Sequence, residues 1–355
     1  MFYRSVSSLA RKLHLTQEEI DRLEPIVAKY PMQIPAYYLN LIDPDDPGDP
    51  IRKMAVPSFF EAQKDGSFDT SGEQDNTVLP GLQHKYEQTA LILSTSKCAM
   101  YCRHCFRKRL VGGDDEKEIA ANFDAIVAYI RRHTEITNVL ITGGDSLLIS
   151  SAMIRRYLAA LTPMKHLDFI RFGTRIPVTF PRRINENPEL IGIFKAFGVK
   201  KQISIVTQFN HPNEITKQSV KAVKTLRAAG MVVKNQTVLL RGVNDNADTL
   251  GTLLRKLTAI GCMPYYIFQC RPVKGVKGGF QVPLIEGYDI VEAAKARQNG
   301  FGKHLHYCMS HPTGKIELLG KTEAGMVTKY HEAKDKNNYG KIFIRKTDPE
   351  QCWYN

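Results

Sequence analysis

From residue 90 onward the apolar residues follow two alternating rhythms. Strand-like runs occupy 90–95, 138–142, 168–173, 202–208, 231–240 and 264–269. Between them the spacing turns helical: Ile119, Phe123, Ile126, Val127 and Ile130; then Ile154, Tyr157, Leu158 and Leu161; then Val220, Val223 and Leu226; then Leu250, Leu253, Leu254 and Leu257. A strand repeatedly followed by a one-faced helix predicts parallel strands joined by helical crossovers. Six such units predict an α/β protein built on a partial (β/α)6 barrel, with its functional loops gathered at the carboxyl ends of the strands.

The flanks read differently. Thr16 and Glu19 form a capping box ahead of an apolar stripe of Ile20, Leu23, Ile26 and Val27. The stretch from Pro31 to Pro50 holds too many prolines for long regular structure beyond about Ile42. Residues 61–80, rich in Asp, Ser and Gly, read as an exposed loop. The expected organisation is a helical and extended N-terminal lobe over 1–80, a barrel core over 81–300, and a small C-terminal segment over 301–355 that closes one side of the barrel.

Candidate chemistry begins where the first strand-like run ends, at Cys98-Ala-Met-Tyr-Cys102-Arg-His-Cys105-Phe-Arg107. Three thiolates at C-x3-C-x2-C spacing can hold three irons of a [4Fe–4S] cluster and leave the fourth iron open, unlike a four-cysteine cluster. An open iron can chelate the amino and carboxylate groups of S-adenosylmethionine (SAM). One electron from the cluster then splits the sulfonium and releases a 5′-deoxyadenosyl radical. Such a site needs an electron donor of the flavodoxin or ferredoxin kind. The competing readings are a zinc site completed by His104, or three unrelated core thiols. Zinc ordinarily takes two separated ligand pairs, and no second pair is evident.

Composition narrows the setting. Seven cysteines, an odd number with three clustered, argue against a disulfide framework. A cluster also needs a reducing compartment, so the expected location is the cytoplasm. No run approaches the roughly 18 apolar residues of a membrane span, and Met1-Phe-Tyr-Arg-Ser-Val lacks the layout of a signal peptide. The net charge of +13 raises nucleic acid as a partner. The basic residues are spread along the chain without interleaved aromatics, which favours small anionic ligands over RNA. An RNA-interacting iron–sulfur protein is the alternative that this charge keeps open.

Polar clusters sit at the ends of the later strands. They are Thr142-Gly143-Gly144-Asp145, Arg171 to Arg175, Thr207 to Glu214, Asn235-Gln236 through Asp245, and Pro264 to Cys270. Two adjacent glycines let the backbone approach a ligand closely, although a plain strand-to-helix turn would also use them. Clusters in phase with the strand period argue for one lined cavity. Cys262, Cys270, Cys308 and Cys352 share no ligand-like spacing and read as core or surface thiols.

Taken in order, these segments resemble the lysine 2,3-aminomutase family of radical SAM, pyridoxal-phosphate enzymes, from about residue 15 to residue 330. The resemblance rests on Tyr37-Tyr-Leu-Asn-Leu-Ile-Asp-Pro-Asp-Asp-Pro-Gly-Asp-Pro, the Cys-x3-Cys-Arg-His-Cys-x-Arg loop, Gly-Gly-Asp, Phe209-Asn-His-Pro-Asn-Glu-Ile-Thr216, Asn-Gln-Thr-Val-Leu-Leu-Arg-Gly-Val-Asn-Asp and Pro-Tyr-Tyr-Ile-Phe-Gln-Cys. It implies a radical-SAM barrel and an isomerase that moves an amino group from C2 to C3 of a small amino acid. It places SAM among His104, Gly143, Gly144, Asp145, Arg175 and Gln236, and pyridoxal phosphate on Lys315 beside Lys85 and Tyr86. Arg107 matches the arginine that holds the substrate carboxylate.

Departures from the family pattern carry information. Ser310-His-Pro-Thr-Gly314-Lys315 is shorter and poorer in glycine than the usual lysine loop, so a radical SAM enzyme on this scaffold without pyridoxal phosphate is the second alternative. Lys85 stands where the family has arginine, and Thr89 where it has another. Lysine-specific members place two aspartates around the substrate ammonium; the matching positions here are Arg271 and Ser310. This predicts a substrate other than lysine, with an acidic one such as glutamate complementary. The family's zinc-binding cysteines are also missing: one is Asn246, and Cys352 alone remains of the C-terminal group. Zinc is therefore not expected there, and the metal-tied oligomer is not assumed, although a homo-oligomer of another kind fits the sequence.

Overall fold

The computed structural model describes residues 1–112 and 119–354. Two short strands, β1 (Phe2–Tyr3) and β2 (Ile34–Pro35), pair antiparallel near the N-terminus. Twelve more form one sheet: β3 (Thr77–Leu79), β4 (Leu82–Tyr86), β5 (Thr89–Thr95), β6 (Asn138–Gly143), β7 (Phe169–Gly173), β8 (Gln202–Thr207), β9 (Val232–Leu239), β10 (Met263–Gln269), β11 (His306–His311), β12 (Gly314–Thr322), β13 (Gly325–Ala333) and β14 (Ile342–Arg345). They neighbour one another strictly in chain order. β5 through β11 run parallel, and antiparallel hairpins flank them on both edges. β5 to β10 are the six strands that the apolar runs predict. β11 adds a seventh parallel strand from within the stretch that the sequence reads only as a small C-terminal closing segment.

Period-two alternation decides which face of each strand does what. Val139, Ile141, Ile170, Phe172, Ile203 and Ile205 are fully buried. They share one apolar core with Ile126, Ile154, Leu158, Phe194, Leu226 and Leu254 of the covering helices. The intervening residues Leu140, Thr142, Arg171, Gly173, Gln236 and Val238 line a cavity on the other face. Each buried Leu or Ile contributes about 1.5–3 kcal/mol, so a one-residue register slip, which would exchange core for cavity, is strongly opposed. The first crossover helix starts later than its stripe suggests. Asn122 accepts from Ala125 N at 3.0 Å and starts the helix Phe123–Arg132, so Ile119 lies ahead of it.

In the N-terminal part, Thr16 accepts from Glu19 N at 3.2 Å and Glu19 accepts from Thr16 N at 2.8 Å, so the capping box starts the helix Gln17–Lys29 as expected. Leu23 and Ile26 bury against Val6 and Tyr30. Beyond Pro31 only short helices form, Ala36–Leu39 and Pro50–Ala55, the second capped by Asp49.

The expectation of an exposed loop over residues 61–80 holds at 62–67 and over most of 74–80, but it fails at five positions. Glu61 is 1% exposed, and Thr70, Ser71, Glu73 and Asn76 are buried. The polar composition there reflects a charged interior rather than water. Glu61 accepts from Arg103 Nε at 2.9 Å and from Lys108 Nζ at 2.7 Å. Arg103 also donates to the carbonyls of Pro31 and Tyr30 at 2.9 and 3.2 Å. Because Arg103 lies between Cys102 and His104, Glu61 fastens the cysteine loop to the N-terminal part. Glu61→Gln leaves two buried cations short of their counter-charge. It is expected to cost about 3 kcal/mol, read as a lowered denaturant midpoint with an unchanged slope.

Candidate active site

Every residue assigned above to the cluster, SAM, pyridoxal phosphate or substrate lines one cavity of about 350 Å³ at the carboxyl ends of the parallel strands. The cysteine loop leaves β5 and folds over this mouth, bringing Cys98, Cys102 and Cys105 to one end of it. Burial pushes the Cys98 and Cys105 thiols up, Cys105 to about 11. A cation bound there would offset that cost by taking the thiolate forms. Arg175 donates to Cys102 Sγ at 2.8 Å. Its guanidinium is held in place by Gln208 O at 3.0 Å and by the fully buried Glu214. Glu214 in turn accepts from Tyr38 OH and Asn210 N, each at 2.6 Å.

His104 is buried, and burial lowers its pKa well below the usual value, so the ring is neutral. Its Nε2 faces the side-chain amides of Gln208 and Asn210 at 3.1 and 3.2 Å. With two amide donors there, the network assigns the ring proton to Nδ1. That atom has no hydrogen-bond partner among the described residues.

Gly143 and Gly144 are needed for a reason more local than ligand access. Gly143 has φ 119°, and a Cβ on either residue would collide with the carbonyl oxygens of Thr95 and Lys97. The stem of the cysteine loop therefore lies directly on the Gly-Gly turn, and Asp145 N donates to Lys97 O at 2.9 Å. Both Asp145 carboxylate oxygens are engaged, with Leu147 N at 3.1 Å and Arg175 N at 2.7 Å, so Asp145 ties the β6 and β7 loops together. Gln236 lines the cavity from β9.

The opposite end is built by the C-terminal hairpins. Lys315 on β12 is paired with Glu332, its cross-strand neighbour on β13. Its Nζ lies 5.2 Å from the ring centroids of both Tyr86 and Tyr266. Lys85 donates to His311 O at 2.6 Å and to Ser71 O at 3.3 Å. Burial, with Arg271 and Lys315 nearby, lowers its pKa to about 7. The unfolded chain therefore holds one more proton at this site between about pH 7 and 10.5, and the penalty for burying the charge is relieved as pH rises through that window. The stability advantage of Lys85→Met over wild type is expected to shrink between pH 7 and pH 9 in denaturant unfolding; a flat difference would show that Lys85 does not titrate there.

Arg271 and Ser310, distant in sequence, meet in space. Arg271 donates to Ser71 Oγ and Ser310 Oγ at 2.8 Å each and stacks 4.1 Å from the Phe106 ring centroid. Burial lowers its pKa to about 10, which leaves it cationic near neutrality. Arg107 donates from Nε to Glu73 Oε1 at 2.9 Å, and Arg109 reaches Glu73 Oε2 at 3.1 Å. Glu73, Glu214 and Glu332 were missed as site residues. The Asn213-Glu214 segment stood among the strand-end clusters, but neither Glu73 nor Glu332 lies near a motif that would mark it.

The lining suits a polar ligand set. Asn76 Oδ1, Gln83 Nε2, His104 Nδ1, Arg171 Nε and Thr207 Oγ1 all belong to residues of the cavity wall, and each is buried without a hydrogen-bond partner among the described residues. Such atoms cost about 1–3 kcal/mol each unless a ligand or water satisfies them.

A parallel sheet with a three-cysteine loop at the end of its first barrel strand defines a radical SAM protein, and residues 92–253 match the Radical SAM superfamily model. A protein from Aquifex aeolicus is 41% identical over 342 residues, which is 96% of this chain and 91% of that protein. L-lysine 2,3-aminomutase from Clostridium subterminale is 38% identical over 89% of this chain and 73% of its own length. Glutamate 2,3-aminomutase from Clostridioides difficile is 36% identical, over 88% and 74% respectively. The chain belongs to the lysine 2,3-aminomutase family of radical SAM enzymes and is thus an isomerase. Membership implies a [4Fe–4S] cluster, SAM and pyridoxal phosphate. No helix among the described residues is long and apolar enough to cross a membrane.

Proposed function

We propose that this enzyme interconverts an acidic α-amino acid, of which glutamate is the simplest case, and its β-isomer. The observation that carries the reading is Arg271, a buried guanidinium clasped by Ser71 and Ser310 in the cavity wall. A side-chain carboxylate would complete its hydrogen bonding. A lysine ammonium at about 4 Å would instead be repelled by about 4 kcal/mol at an effective dielectric near 20.

The roles follow from position. Cys98, Cys102 and Cys105 hold the cluster, which when bound supplies the electron that splits SAM. His104, Gly143, Gly144, Asp145, Arg175 and Gln236 form the SAM end, with Arg175 adding positive charge beside Cys102. Lys315 carries pyridoxal phosphate, whose ring when bound stabilises the rearranging radical. Lys85 and Tyr86 would hold its phosphate and ring, and Arg171, which donates to Asn138 beside Thr89, adds a cation where the family arginine is missing. Arg107 takes the substrate carboxylate in exchange for Glu73, which already presents a carboxylate to it. The cavity walls would orient the substrate between the two ends, with its C3 toward the SAM end. A cytoplasmic setting with a flavodoxin- or ferredoxin-class donor suits this chemistry.

The test is anaerobic reconstitution with iron, sulfide, SAM and pyridoxal phosphate against a panel of amino acids, scoring β-amino acids and 5′-deoxyadenosine. Turnover best with glutamate supports the proposal. Turnover best with lysine refutes the assignment of Arg271. 5′-Deoxyadenosine without any β-amino acid refutes the aminomutase reading for the panel.

A further inference from the structure

Outside the cavity, His306, Glu317 and His331 bring donor atoms within 4.8 Å of one another from three successive strands, β11, β12 and β13. His306 Nδ1 lies 2.6 Å from Glu317 Oε1, and His331 Nδ1 lies 3.7 Å from Glu317 Oε2. The two imidazole centroids are 4.5 Å apart. The second gap is too long for a hydrogen bond. It is slightly wider than the roughly 3.3 Å that separates ligand atoms in a tetrahedral site with bonds of about 2.0–2.1 Å, and the His306–Glu317 hydrogen bond would open by about 0.7 Å to reach that spacing.

The backbone is shaped to make this arrangement. Lys315 pairs with Glu332 but Ile316 pairs with Tyr330, so His331 is the extra residue of a β-bulge. A bulge re-aims a side chain that strict alternation would send to the other face. Here it lets the consecutive residues His331 and Glu332 reach Glu317 and Lys315, two positions apart on β12. The outer ring nitrogen of His331 is also fixed, since its Nε2 lies 2.6 Å from the buried Tyr266 hydroxyl. A metal-ligating histidine is ordinarily oriented in this way through its second nitrogen. The side chains are 38%, 14% and 25% exposed for His306, Glu317 and His331, which leaves an approach from solvent and a side for a fourth ligand.

We propose that His306, Glu317 and His331 bind one divalent transition-metal ion of the zinc class, separate from the iron–sulfur cluster. Two imidazoles, one carboxylate and a solvent position are a donor set that such ions accept. The ion would clip together the three strands that carry Ser310, Lys315 and Glu332. This site shares no residue with the cysteine positions from which zinc is excluded above, and it does not depend on the substrate assigned under Proposed function.

The test uses cluster-reconstituted enzyme, exposed anaerobically to one equivalent of Zn²⁺ and dialysed. Zinc retained at one per chain, with an absorption-edge fine structure of nitrogen and oxygen neighbours at about 2.0–2.1 Å and no sulfur near 2.3 Å, is the expected result. His331→Ala and His306→Ala should each weaken zinc retention at least about tenfold, with cluster absorbance and far-ultraviolet circular dichroism unchanged. A sulfur shell would place the zinc on cysteines and overturn the proposal. So would loss of all zinc from wild type on dialysis, or equal retention by folded His331→Ala and His306→Ala.

Discussion

Lys315→Ala is expected to lower β-amino acid formation by at least about a thousandfold, while 5′-deoxyadenosine formation from SAM and reductant stays within a few fold. The split follows from the two ends of the cavity. The cysteines, His104 and Arg175 form one end on loops from β5 and β7. Lys315 belongs to a separate C-terminal hairpin, and its Nζ is engaged with Glu332 between the Tyr86 and Tyr266 rings. Its loss removes an attachment point without touching the radical source. The variant should also fail to shift the absorbance of added pyridoxal phosphate. If mutase activity survives within tenfold, Lys315 is not the cofactor lysine, and the alternative of the same scaffold without pyridoxal phosphate gains support.

How much of this could be read from the sequence depends on whether the signal is local. The capping box at Thr16 and Glu19, the cysteine spacing and the six barrel strands each depend on neighbours within one element, so periodicity and spacing reveal them. The C-terminal strand β11 was harder to read because its partner is β10, some forty residues earlier, and no helix-period stripe was recognised between them. The buried positions within residues 61–80 were misread for the same reason. Glu61 is buried because Arg103 and Lys108 are, and Glu73 because it pairs with the buried Arg107 and the partly buried Arg109. An acidic, glycine-bearing stretch looks solvated until the cations that neutralise it are known, and those lie on the cysteine loop. Glu332 escaped notice similarly: only cross-strand register places it against Lys315. The resemblance supplied Arg271 and Ser310 as two separate substitutions, and the fold supplies the contact that makes them one feature.

That contact sets the largest expected change in specificity. The double variant Arg271→Asp, Ser310→Asp is expected to lower kcat/KM for glutamate at least about a hundredfold, the loss of one buried charge pairing worth about 3 kcal/mol. It should also raise kcat/KM for lysine from background by a comparable factor, since a repulsion is removed and an attraction added. Arg271 is cationic throughout the assay range because its pKa, although lowered by burial, is still about 10. Arg271→Ala separates the two contributions: it should forfeit the preference for glutamate without granting lysine turnover. The Phe106 ring and the Ser71 hydroxyl that hold the guanidinium are untouched in either variant, so both should fold and keep the cluster absorbance. Steady-state kinetics with both amino acids, each product identified as its β-isomer, decide the matter. A glutamate-to-lysine ratio that Arg271→Ala leaves unchanged would remove Arg271 from substrate selection and return the choice to the other residues of the cavity wall.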